Sequence, residues 1–317
     1  MTIQPSIRQD HLDCAHGLMI LHMMFFHLCN ATIIHKPYYY SILKPLSFFM
    51  AWFFFKSGMF YKVRSIIENI HLGFKRIIIP AAVFSLIGFI FYLLPNLSRF
   101  NYSLELKSIY YVGAIPGNTP LWFLFSLFVV QIIFSIMRKY NIHPILIVII
   151  ALGLYYLSQF IGFRPYWTYN IPIGLLFYSL GLLFKKLQYN RHIVILSLII
   201  YFGLLLYPFN IDFLLGKFTP NVIAIPWALA GCILINALFK YFTRLCIFPL
   251  RFFGRHAMEF YCTHIIIIVF LENHIKHHTL HISPILFIIF AFIIYLLVFS
   301  LILHFFKLKK IQWMFGR

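Results

Sequence analysis

Ten long apolar runs set the pattern of this chain: 14–34, 42–61, 77–94, 120–137, 143–161, 171–184, 193–208, 221–239, 255–272 and 283–306. A helix needs about 20 apolar residues to cross the hydrocarbon core. These runs are continuous and do not alternate, so they predict helices and not barrel strands. A helix also satisfies its backbone polar groups internally, as lipid demands. The expected fold is all-α and integral to the membrane, a single transmembrane domain over residues 1–317 with about ten spans. The sixth and seventh runs are short, and merging or bending there would give nine or eleven.

The charges between the runs sort by side. One set of loops carries Arg8; Lys62, Arg64, Lys75 and Arg76; Arg138 and Lys139; Lys185, Lys186 and Arg191; Lys240, Arg244, Arg251 and Arg255; and Lys307, Lys309, Lys310 and Arg317. The alternate loops hold Lys36, Lys44, Arg99, Lys107, Arg164, Lys217 and Lys276. Eighteen against seven, with the excess at every loop pair, puts the first set in the cytoplasm and both termini inside. A multi-pass protein of the cell (inner or plasma) membrane is expected. The first run mimics a signal peptide but lacks a small-residue cleavage site, so it is expected to stay. Eleven residues follow the last run, and no appended soluble domain is expected.

Composition agrees. Of 317 residues 62% are apolar and 10% charged, with mean hydropathy +0.89. Soluble domains carry about a quarter charged residues, so the solvent here is mostly lipid. A net charge of +19 invites a nucleic-acid reading. The positives lie in short loop clusters, with no basic face or RNA-binding motif, and no nucleic-acid partner is expected. Five cysteines form no CxxC pair and predict neither a disulfide framework nor a zinc site. No P-loop, HExxH, GxSxG or dinucleotide fingerprint appears.

Ionisable groups inside spans are costly, so each is a functional candidate. The first span is richest. His16 and His27 lie eleven residues apart, about three turns, and share one face roughly 16 Å apart along the axis. Asp13 joins that seam one turn below His16, and Gly17 would let a neighbouring backbone approach. His22 points away. A neutral imidazole at His27 suits general-base work; the alternative is a plain hydrogen bond to a neighbouring helix. Lys56 and Glu259 would pair with each other or with backbone, or reach a membrane surface. Arg76 opens the third span, where a topology anchor is the alternative to a binding role. His274, His277, His278 and His281 have one-face spacing, yet no regular carboxylate or cysteine completes a ligand set, so no metal is expected. The long loop 95–119, with Asn96, Asn101, Pro116, Gly117 and Asn118, is a candidate rim for an outward site or an ordinary connection.

Five patches, in order, resemble the acyltransferase 3 family of membrane acyltransferases. Arg8, Asp13, Gly17 and His27 resemble its first-span R-x4-D-x3-G-x9-H signature. FFFKSGMF at 53–60, with Ser57, resembles its second-span FFxxSGF. Arg76 and Pro80 resemble its R-x3-P, and PLWFLFSLF at 120–128, with Trp122, its WFL-type fourth span. FGRHAMEFYCTHI at 253–265 is similar to its late segment, with Tyr261 and His264 matching. The resemblance covers nearly the whole chain. It implies a ten-helix enzyme that takes an acyl group, usually acetyl, from cytoplasmic acyl-CoA to a hydroxyl of a carbohydrate or surface glycan. It makes His27 the catalytic histidine and Arg76 a residue serving acyl-CoA or catalysis. Three departures stand out. His16 replaces the usual Arg or Lys, while Lys56 and Glu259 occupy positions that are normally uncharged.

The expected mechanism keeps the donor's anionic nucleotide at the basic cytoplasmic loops. Its thioester arm threads along the α-helical seam to His27, which acts as base or as acyl acceptor. Asp13 orients His16 or holds the local helix arrangement, with His16, Arg76, Ser57, Trp122, Tyr261 and His264 around the substrates. Trp122 could equally be an interfacial anchor. No bound cofactor is expected beyond the acyl-CoA substrate; association of several copies stays open. The rivals are a transporter or flippase of lipid-linked glycans, which would often repeat its hydropathy in two halves, and a glycan polymerase or ligase with a larger basic outer loop.

Single cysteines at Val63, Leu187 and Lys310 should react with an impermeant thiol reagent only from the cytoplasmic side, and those at Phe100 and Leu215 only from outside. Labelling of all five from outside would sink the ten-span arrangement.

Overall fold

The computed structural model describes residues 9–31, 43–96, 102–161, 165, 167–275 and 309–316, and short stretches between 289 and 301. Helix α1 (Asp10–Ala31) opens the chain. A 3-10 turn at Lys44–Leu46 leads to α2 (Phe49–Met59). Helix α3 (Ile66–Gly73) starts at Ser65, whose Oγ accepts from the Glu68 amide at 3.1 Å, an ordinary N-cap. A π turn, Phe74–Ile78, carries α3 into α4 (Ile79–Asn96). There follow α5 (Tyr102–Val112), α6 (Trp122–Lys139), α7 (Pro144–Phe160), α8 (Trp167–Leu187) and α9 (Arg191–Leu205). A small antiparallel hairpin, β1 (Asn210–Asp212) and β2 (Lys217–Thr219), pairs Ile211 with Phe218. The helices α10 (Asn221–Tyr241), α11 (Phe248–Arg255) and α12 (Ala257–Ile275) follow, and a 3-10 turn lies at Lys309–Phe315.

Among the described residues five stretches are able, by length and composition, to cross a membrane: Asp10–Cys29, Ile66–Leu94, Thr119–Lys139, Tyr169–Leu187 and Asn221–Tyr241. Three shorter apolar helices, Pro144–Phe160, Arg191–Leu205 and Ala257–Val269, lie on further expected spans. Within the second expected span, α2 contributes eleven residues, about 16 Å of helix. The third runs much longer than expected, because the basic segment before it is itself helical from Ile66. The sixth and seventh remain separate helices, the sixth continuing through Pro172. The expected span 283–306 falls largely outside the described residues, as do His277, His278 and His281.

The hairpin was not anticipated. Its turn needs Gly216, at φ +59, and the Asp212 carboxylate accepts from the Leu215 amide at 2.9 Å. A glycine reaches this left-handed conformation without steric cost.

Two backbone contacts organise the helices. A methyl placed on Gly17 would lie 1.9 Å from the Leu250 carbonyl oxygen, and one on Gly254 would lie 1.8 Å from that of Asp13. So α1 and α11 cross with only hydrogens between them, as expected for Gly17. Asp10 is 3.3 Å from Arg251 and 3.0 Å from Arg255 at the same end. The second crossing joins α2 to α8, where methyls on Gly58 and Gly181 would meet the Tyr178 and Phe55 carbonyls at 1.9 Å. A buried polar chain ties α2 to α10: Trp52 Nε1 donates to Asn236 Oδ1, and Asn236 Nδ2 to Gln188 Oε1, both at 2.9 Å.

Described loops gather at two ends of the helices. At one end Gln9, Lys185, Lys186 and Lys240 surround a common cavity, and Gly316 lies against the Lys75 backbone. At the other, Lys44, Pro120 and the hairpin meet.

Gly254→Ala and Gly181→Ala should each destabilise the detergent-solubilised protein by about 1–3 kcal/mol, as overpacking does. The control is Gly153→Ala, whose methyl would meet nothing within 4 Å. Equal thermal midpoints for all three would refute the close crossings.

Candidate functional site

Helix α1 runs past two cavities. The first, about 420 Å³, opens at the end where α1 begins. His16 from α1, Lys56 and Ser57 from α2, and Arg76 from the π turn line it. Lys62 and Arg64, from the α2–α3 connection, add two cations. Gln131 and Ser135 of α6 and Tyr178 of α8 supply polar atoms. The π turn adds a residue to the helical ring, a device common at functional positions. The C-terminal turn packs on its backbone: a methyl on Gly316 would stand 2.6 Å from the Arg76 Cα.

Inside this cavity Lys56 Nζ donates to His16 Nδ1 at 2.7 Å. A ring nitrogen that accepts carries no proton, so a neutral His16 holds its proton on Nε2. The imidazole packs on Trp52 and Phe53, with centroids 5.6 Å away in both cases. Two of the three sequence departures, His16 and Lys56, thus touch. The third, Glu259, faces His256 at 3.3 Å.

The second cavity, about 530 Å³, lies toward the far end of α1. His27 lines it together with Trp122 and the hairpin residues Asn210, Asp212 and Phe213. Lys44 and Ser47 lie at its edge. Trp122 and Phe213 stack at 6.4 Å, so two aromatic faces and several polar groups look into one space.

Tyr261 belongs to both cavities. Its hydroxyl donates to the Pro120 carbonyl, which anchors α12 to the approach of α6. Phe123 lies 5.6 Å from its ring, and Phe53 lies 5.7 Å from Phe123. These three rings wall the first cavity on the side of Tyr261, which also lines the second. The His27 and His264 rings sit 5.0 Å apart. His264 Nδ1 donates to the Tyr261 carbonyl at 2.7 Å. When neutral, its buried Nε2 is therefore an acceptor, and among the described residues that atom has no hydrogen-bond partner.

The site residues read from the sequence thus divide into groups. His16, Ser57, Arg76 and Tyr261 line the first cavity; His27, Trp122 and Tyr261 line the second; His264 stands behind His27. Asp13 lines neither and lies 3.5 Å from Arg255. It stands 14 residues from His27, about 21 Å along the helix. Arg255 is held above its ordinary pKa by its hydrogen bond to Asp10. His22 is buried against the Phe49 ring at 5.5 Å and lines neither cavity. Asn118, from the expected outer rim, is instead buried and donates to the Cys262 carbonyl at 2.9 Å. Sequence reasoning missed Lys62 and Arg64, whose charge it assigned to topology alone, and Asp212, whose signal was its rarity among seven acids.

Among the described residues no group of three or more His, Cys, Asp or Glu is arranged to hold a metal. A family model described as an acyltransferase domain, that of acyltransferase family 3, matches residues 10–304. No curated protein and no solved structure matches the chain.

Proposed function

The chain belongs to the acyltransferase 3 family and is a multi-pass membrane acyltransferase; from that premise we propose that it moves an acetyl or other acyl group from cytoplasmic acyl-CoA to a hydroxyl of a carbohydrate or cell-surface glycan. The observation that carries this reading is the pair of cavities back to back along α1, sharing Tyr261. One is cationic and the other is aromatic and polar. The first suits a donor with phosphates and a thioester arm. The second suits a sugar, whose apolar face stacks on rings while its hydroxyls take hydrogen bonds from polar side chains.

In this reading the basic face is cytoplasmic, in the inner or plasma membrane. Lys56, Lys62, Arg64 and Arg76 attract the anionic donor. The neutral acyl arm passes the Phe53–Phe123–Tyr261 wall. The acceptor hydroxyl sits by His27, with Trp122 and Asp212 holding the ring. His27 takes the hydroxyl proton as its oxygen attacks the thioester carbonyl. The carbon–sulfur bond then breaks, and the CoA thiolate leaves and takes up a proton. His264, pinned through Nδ1, presents Nε2 as an acceptor that steadies the imidazolium of His27. Asp13 acts at a distance, by holding α1 to Arg255.

The test is purified protein with radiolabelled acetyl-CoA, scored for hydrolysis or transfer. His27→Ala should lose about 10²–10⁴ in rate, the usual worth of a general base, with expression and acyl-CoA binding intact. His22→Ala should be mild. A folded His27→Ala protein that acylates at near wild-type rate ends the assignment. Arg76→Ala should weaken acyl-CoA binding by about 1.5 kcal/mol, the low end for a bond to a charged group, because the side chain is exposed. Unchanged affinity in an inserted Arg76→Ala protein returns it to a topology anchor.

A further inference from the structure

A third cavity, about 560 Å³, lies at the basic end beside the first. Phe60 lines both, and its ring is 48% exposed at the seam between them. Lys185 and Lys186, from the last turn of α8, and Lys240, from the last turn of α10, line the third cavity. Tyr189 forms part of its wall, with Lys240 Nζ 3.5 Å from the ring centroid. Among the described residues that line it none is acidic. Tyr189 adds no negative charge, since burial pushes its phenol up to about 12. His11 Nε2 lies 2.9 Å from its hydroxyl, fixing the ring beneath the lysine.

Three ammonium groups around one concave space are mutually repulsive, and a polyanion relieves that cost. Their separation from the first cavity by a single exposed aromatic ring matches a ligand in two parts. An acyl-CoA has this form: a neutral thioester arm joined to a nucleotide that bears a pyrophosphate and a 3′-phosphate. An exposed ring also offers a stacking face to a base. We propose that the Lys185–Lys186–Lys240 cavity binds the phosphorylated nucleotide end of the donor, while its acyl arm enters the first cavity past Phe60. This rests on the reading that the donor is an acyl-CoA. It adds that recognition is divided between two cavities, and that the 3′-phosphate is read by lysines which no donor lacking it would engage.

The test uses the whole protein in neutral detergent and compares binding of CoA with that of dephospho-CoA, which lacks only the 3′-phosphate. Wild type should bind CoA about tenfold more tightly, the worth of a few partly exposed ion pairs. In the Lys186→Gln/Lys240→Gln variant the preference should collapse to within about twofold, with CoA losing more affinity than dephospho-CoA and the latter still bound. Retained binding of dephospho-CoA also reports that the variant is folded. Where the variant fails to fold, the wild-type preference alone decides. Equal wild-type affinities overturn the subsite and leave the acyl-CoA reading standing, as does a folded variant that keeps the full preference. A protein that binds neither compound overturns both. Anionic lipid is the other source of phosphate at this face. If added anionic vesicles abolish the wild-type preference, the cavity is a headgroup site and the proposal fails.

Discussion

Backbone contact between α1 and α11 is the constraint on which the rest depends. In lipid no hydrophobic force draws helices together, so close packing at small residues has to do so. Gly17 and Gly254 allow that packing. The ion pairs from Asp10 and Asp13 to Arg251 and Arg255 are partly exposed. Pairs of this kind add little energy; their effect is to favour one register of α1. Register matters because α1 carries His16 to one cavity and His27 to the other. A slip of one residue turns a helix by about 100°, which would swing both imidazoles out of their spaces together.

The aromatic wall meets a further physical requirement. Charged groups cross the hydrocarbon region only at a cost of several kcal/mol. If donor and acceptor approach from opposite faces, only the neutral acyl arm needs to cross. A wall of Phe53, Phe123 and Tyr261 suits such an arm and resists ions and water. Tyr261 keeps its one polar atom satisfied by donating to Pro120. Similar logic explains the buried Trp52–Asn236–Gln188 chain, which pairs the Trp52 and Asn236 donors where α2 and α10 meet.

Much of this was legible in the sequence. Continuous apolar runs gave the helices, because lipid leaves the backbone no hydrogen-bond partners but its own. The value of Gly17 was also readable, since a small residue on a polar helix face has few other uses. What escaped was anything set by the junction of distant segments. The break at His256 depends on α11 packing against α1. The hairpin lies between two spans and has only Asn210–Thr219 to announce it. The pairing of His27 with His264 joins residues far apart in the chain, and no periodicity within either helix points to the other. The enzyme and transporter readings had similar hydropathy, and the family match over residues 10–304 is what separates them.

The contact between His16 and Lys56 changes the meaning of two oddities. Read along the chain, His16 is a lost cation in α1 and Lys56 is an unexpected one in α2. In the fold Lys56 Nζ stands 2.7 Å from His16 Nδ1, so a cation carried by α2 stands beside this position of α1. A guanidinium presents a planar fork, whereas an ammonium is a compact point charge on a flexible stem. Lys56 Nζ donates to His16 and also lies 5.3 Å from the Trp52 ring centroid, so α1 and its own helix both place the ammonium. The imidazole then acts as a tether that places the ammonium, while Trp52 and Phe53 fix the tether. Charge at this position is therefore set by α2, and its direction by α1. Any shift between the two helices would alter it, which brings the first cavity under the same control as the glycine contacts.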